Sequence, residues 1–251
     1  MSEGFLEDLL KQYRGKIMPA HSREHQLVQK VLQKLIPHSG LEDQKWETFV
    51  INDNEKNAFV IPGGKVFVHR GILDVCQGEE GIATVLSHEI SHNVAHHAAE
   101  RMSQQIIVVL LGLTVATIAG GDFFGLSRFL SNLVFTLPGS RTQESEADYI
   151  GLMMMAESCY NPNNAIAFWG RMEKLNEVEP PQFLSTHPGH HARLEKIREW
   201  LPQAETKLEN SDCGATAMYG EFGWTVDSMV MRVLTRITAN RFKSLNDFSR
   251  W

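Results

Sequence analysis

The stretch His88-Glu89-Ile90-Ser91-His92 constrains the fold more than any other. It lies within residues 79–103, where Ile82, Val85, Leu86, Ile90, Val94 and Ala95 recur at helical spacing and predict one long helix. A helix advances about 100° per residue, so positions i and i+4 share a face. His88 and His92 can therefore both aim a nitrogen at one metal ion, with the Glu89 carboxylate one step round, beside the metal but not on it. Two neutral imidazoles holding a cation, with a carboxylate to take a proton from bound water, is an arrangement suited to metal-assisted hydrolysis.

A catalytic zinc site wants three protein ligands and one open position. A third histidine in the continuation HxxGxxH is ruled out, because Ala95 and Ala98 stand at those places. The remaining pattern puts a Glu on a second helix with an Asp one turn later, and residues 141–148 supply it. Glu144 can ligate, while Asp148 on the same face accepts the N–H of a ligating histidine and fixes its tautomer. Glu146 points away by roughly 200° and is expected to face solvent. His96 and His97 are expected in surface or packing roles, since a fourth ligand would close the open position.

The rest of the chain sets the frame. Its formal charge of −6 argues against a nucleic-acid partner, which needs a basic surface. Cys76, Cys159 and Cys213 are far apart and form no CxxC pair, so neither a thiolate zinc site nor a disulfide framework is expected. The first ten residues carry Glu3, Glu7 and Asp8 and read as neither a secretory signal nor an Arg-rich transit peptide.

Residues 22–36 predict a helix capped by Ser22 and ended by Pro37 and Gly40. Residues 46–51 predict a strand, and residues 57–61 and 65–69 predict a hairpin around Pro62-Gly63-Gly64. Further helices are expected over 141–157, from Pro162 with Asn161 as cap, after Pro188 through Leu194, Ile197 and Leu201, and over 226–242. Residues 106–137 are almost uncharged, but Gly120-Gly121-Asp122 interrupts the run. Spanning a bilayer takes about 20 apolar residues, so a buried hairpin, or a segment lying on a membrane or a partner, is expected instead.

Three stretches together resemble peptidase family M48, in its mitochondrial inner-membrane branch and with fungal-looking detail. They are Asn57-Ala58-Phe59 through Pro62-Gly63-Gly64 to Arg70-Gly71, the His88–His92 helix, and Ser140-Arg141 to Glu144, Ala147 and Asp148. The match covers roughly residues 20–200. The resemblance implies an α+β, gluzincin-like fold, mostly helical, with a small sheet whose edge strand lies beside the HExxH helix. The chain would be a single domain over 1–251, with its motif-bearing core at about 20–201 and a helical extension at about 203–251.

The resemblance implies a zinc endopeptidase with one Zn²⁺ per chain on His88, His92 and Glu144, and Glu89 as general base and acid. Asp148 would support a ligand, His187 of Thr186-His187-Pro188 would help stabilise the oxyanion, and Arg193 would support His187. The edge strand, through Asn57, Ala58 and Phe59, would bind extended protein substrate by β-addition. Location at the mitochondrial inner membrane and a part in membrane protein quality control also follow from the resemblance, although the chain shows neither a leader nor a clear transmembrane helix. Read from the residues alone, Thr186 and Pro188 simply start a helix, and His190 and His191 are exposed. Two alternatives stay open: a non-catalytic, chaperone-like zinc scaffold, and a latent protease whose groove is filled by residues 106–137.

Overall fold

The hairpin forms where the turn residues predict it. Strands β2 (Ala58–Ile61) and β3 (Lys65–His69) run antiparallel. Gly63 and Gly64 take φ of 95° and 78°, left-handed values that cost other residues and suit glycine. Strand β1 (Glu47–Ile51) pairs with β3 in parallel, so the order is β1-β3-β2 and β2 is an edge. Phe49 and Phe59 stand opposite Phe67 on either side, with ring centroids 4.8 and 4.9 Å away. This stacked triplet fixes the register across all three strands.

The coordinates are a computed structural model that describes residues 3–103, 106, 107, 110, 114, 141–178, 181–187, 190–211 and 213. Helices carry most of these residues. They are α1 (Glu3–Gln12), α2 (Arg23–Leu35), α3 (Arg70–Cys76), α4 (Glu79–Val94), α5 (Arg141–Glu157), α6 (Asn163–Val178), α7 (Gln182–Thr186) and α8 (His190–Glu209). The predicted caps are in place: the His25 N–H donates to Ser22 Oγ, and the Asn163 N–H donates to Asn161 Oδ1. The architecture is therefore mostly helical with a small three-stranded sheet.

The chain divides at Glu209 into the units Met1–Glu209 and Asn210–Trp251. The expected helix over 226–242 lies outside the described residues, as does nearly all of 106–137. Of that stretch Ile106, Ile107 and Leu110 are exposed. Among the described residues no helix is long and apolar enough to cross a membrane. Cys76 is a free buried thiol.

One expectation about α4 fails in a useful way. The helix predicted over 79–103 breaks after Val94. His96 then takes a left-handed φ of 55°, and a new helical stretch starts at 97. Apolar periodicity continues through this point, which is why it hid the break. The reversal turns His97 inward, where it is only 1% exposed.

Helix α4 is the centre of the fold. It packs against α2, α3, α5, α6 and β2, and every residue from Gly81 to His92 is buried. Gly151 of α5 permits the closest approach, since a Cβ there would lie 3.0 Å from the His88 nitrogen and 3.1 Å from the Ser87 carbonyl carbon. That contact brings the Glu144–Asp148 face of α5 against the His88–His92 face of α4. Gly151→Leu should therefore lower the unfolding free energy by about 1–3 kcal/mol, the usual cost of overpacking. Urea denaturation measures this, and a midpoint equal to the parent's would contradict the close approach.

Candidate metal centre

Four side chains from three parts of the chain converge under α4. His88 and His92 come from α4, Glu144 from the first turn of α5, and His187 from the residue that ends α7. Each offers one nitrogen or oxygen, and these four atoms lie within 4.8 Å of one another. All four residues are buried. Glu89, also on α4, is 4% exposed and brings Oε1 to 3.2 Å from His187 Nε2.

The donor atoms face each other. His88 Nε2 is 3.1 Å from His92 Nε2 and 3.2 Å from His187 Nδ1. Glu144 Oε2 is 3.0 Å from His187 Nδ1 and 3.4 Å from His88 Nε2, and Oε1 is 3.6 Å from His92 Nε2. Buried imidazole nitrogens do not gather at such distances for their own sake, because lone pairs repel and few protons are available to bridge them. Glu144 Oε1 is buried and has no hydrogen-bond partner. A tetrahedron with metal–ligand bonds of about 2.0–2.1 Å has edges of about 3.4 Å, and the observed spacings bracket that value. The residues present fit a metal cation held by nitrogen and carboxylate oxygen.

The charges agree with that fit. Burial pushes His92 well below the usual imidazole range, and the His88 and His187 charges push it the same way, so it is a neutral donor. Burial alone would raise Glu144, but hydrogen bonds from His187 and His88 hold its carboxyl far below the usual range. Burial lowers His88 too, yet hydrogen bonds to Asp148 and Glu144 outweigh it and lift the imidazole to about 9.

A second ring of contacts surrounds the donors. His88 Nδ1 lies 3.0 Å from Asp148 Oδ1, the distance expected if Asp148 accepts its proton. Arg193, from α8, is 4% exposed; it donates through Nε to Asp148 and through Nη2 to Glu144 Oε2 at 2.9 Å. Its guanidinium stacks on Trp169 of α6, 3.8 Å from the ring centroid. Arg193 and His187 meet at two atoms, Glu144 Oε2 and His88 Nε2, so any support Arg193 gives His187 runs through these two donors. His187 also packs on Phe183, with centroids 4.6 Å apart.

Edge strand β2 flanks the centre. Asn57, Ala58 and Phe59 line a cavity of about 290 Å³ that also opens on Glu89, His92 and His187. The Asn93 amide of α4 donates to the Val60 carbonyl and ties the strand to the helix.

The sequence reading missed two parts of the site. Trp169 lies on a helix with no motif, and only the fold brings it under Arg193. His97, assigned to the surface or to packing, is buried against the far nitrogen of His92 and reaches Glu146. Glu146 is exposed as expected, yet it is not idle. The two adjacent histidines after the motif were the available signal.

Comparison with known proteins places this constellation. The model of peptidase family M48 matches residues 22–201. Mitochondrial metalloendopeptidase OMA1 of Schizosaccharomyces pombe is 43% identical over 217 residues, covering 85% of this chain and 64% of that protein. The protein of the same name from Saccharomyces cerevisiae is 40% identical over 192 residues, covering 73% of this chain and 55% of its own. The human mitochondrial metalloendopeptidase OMA1 is 30% identical over 230 residues, covering 85% of this chain and 44% of its own. The chain thus spans less than two thirds of the length of these relatives. With the family model matched across most of its length, the chain belongs to peptidase family M48.

Proposed function

We propose that this chain is a zinc-dependent endopeptidase of gluzincin type acting on protein substrates. The observation that carries the reading is the meeting of His88, His92 and Glu144 at one buried point with Glu89 beside it. His88, His92 and Glu144 would hold the metal, and nitrogen with carboxylate donors favour zinc. Zinc, when bound, polarises a carbonyl and acidifies a water.

The chain's own groups do the rest. Burial raises the Glu89 carboxyl above its ordinary range, closer to the pH at which a general base works best. Glu89 takes the proton of the attacking water at a carboxylate oxygen and delivers it to the leaving amine. His187, 3.2 Å from Glu89 through Nε2, is placed to donate to the developing oxyanion. Asp148 holds the His88 ring, and Arg193 holds Asp148 and Glu144 together. An extended substrate would add to β2 alongside Asn57, Ala58 and Phe59. The relatives' names say mitochondrial, which supports a mitochondrial setting for this chain, at the inner membrane as its family branch implies, with membrane protein quality control as the task.

One observation favours a second reading. His187 Nδ1 is close enough to Glu144 and His88 to serve as a fourth ligand, which would close the site and leave a latent or scaffold-like zinc protein. The two readings predict opposite effects. His187→Ala should lower kcat/KM by about 10²–10³-fold if it steadies the oxyanion, and raise the rate if it occupies the open position. Glu89→Gln should keep one zinc per chain and lower cleavage of an unfolded casein by about 10²–10⁴-fold. Parent-like cleavage by that variant would remove Glu89 from the mechanism.

A further inference from the structure

Beyond the four convergent donors lies a buried histidine that the proposed reaction does not use. His97 Nδ1 is 2.8 Å from His92 Nδ1, and His97 Nε2 is 3.3 Å from Glu146 Oε2. His97 is 1% exposed, although it follows directly on the exposed, left-handed residue His96. Glu146 sits on the solvent side of α5, two residues beyond Glu144 and turned the other way. The chain therefore breaks α4 after Val94 and sends a polar ring back into the interior, under one particular nitrogen.

With His97 neutral, the outer end of this chain sets one consistent direction for its hydrogens. A carboxylate accepts and does not donate, so the hydrogen between Glu146 and His97 belongs to His97 Nε2. A neutral His97 then has a bare Nδ1, which accepts. In that tautomer the hydrogen between the two rings sits on His92 Nδ1. That leaves the lone pair of His92 on Nε2, the atom that faces His88 Nε2 and Glu144.

We propose that His97, oriented by Glu146, is a positioning residue that fixes the tautomer and ring angle of His92 so that Nε2 is presented to the metal. His88 likewise turns its Nδ1 toward a carboxylate, Asp148 Oδ1 at 3.0 Å, so the outer nitrogen of each α4 histidine faces a potential acceptor, one a carboxylate and the other a histidine backed by a carboxylate. A packing role alone would explain the burial of His97 but not two ring nitrogens each facing a hydrogen-bonding partner.

The inference rests on the metal reading, and its test separates the two. Zinc affinity is measured by chelator competition for the parent, His97→Leu and His97→Asn. Leu removes the acceptor, whereas the Asn side chain can place its amide oxygen where His97 Nδ1 stood. The expected result is stoichiometric zinc in the parent, affinity about 10- to 100-fold weaker in His97→Leu, and near-parent affinity in His97→Asn. Parent-like affinity in His97→Leu, or equal loss in both variants, overturns the positioning role. A parent that binds no zinc overturns the metal reading itself. Nitrogen-15 NMR of the zinc-loaded parent needs no variant to fold: it should show His97 with hydrogen on Nε2 and a bare Nδ1, and hydrogen on His97 Nδ1 would overturn the proposal.

Discussion

Two buried imidazole nitrogens 3.1 Å apart, facing one glutamate carboxylate, set the terms for everything else in this protein. Such a cluster is costly in an apolar interior unless something cationic joins its members. Every residue of α4 from Gly81 to His92 is buried, so the donors point into the interior. Helix α5 must therefore come close enough for Glu144 to reach them, and Gly151 is the residue that lets it. Arg193 adds a fixed positive charge between Asp148 and Glu144, the two α5 carboxylates in the interior. The core is thus organised around a charged centre that the hydrophobic residues enclose and several polar contacts balance.

The division of labour among the carboxylates follows from where each sits. Glu144 and Asp148 are held ionised against the pull of burial, Glu144 by hydrogen bonds from His187 and His88 and Asp148 chiefly by the Arg193 charge. Glu89 is also buried, but desolvation outweighs its cationic neighbours and its affinity for a proton rises. One group suited to ligation and another suited to moving protons therefore stand within one site. Environment separates residues of the same type, much as it does wherever acid and base roles are divided between carboxylates. Glu146 stays outside, where it can anchor His97 without adding charge to the centre.

Much of this was legible because it is local. The spacing of His88, Glu89 and His92, the i, i+4 relation of Glu144 and Asp148, the Ser22 cap and the Gly63-Gly64 hairpin all lie within a few residues of chain. What escaped depends on contacts between distant segments or on one backbone angle. The parallel pairing of β1 with β3 has no local signature. The family motif points to Arg193 as a partner of His187, but its grip on Asp148 and its stacking on Trp169 emerge only when α8 and α6 are packed together. The break after Val94 turns on the left-handed conformation of His96, which apolar periodicity does not register.

The central claim is that His88, His92 and Glu144 bind zinc directly. X-ray absorption spectroscopy of the zinc-loaded protein tests it without relying on turnover. The account predicts nitrogen and oxygen neighbours at about 2.0–2.1 Å, an imidazole scattering pattern and no sulfur shell at about 2.3 Å. Loss of that pattern in Glu144→Ala should accompany loss of tight binding. A sulfur shell, or an unchanged spectrum and affinity in Glu144→Ala, would contradict it.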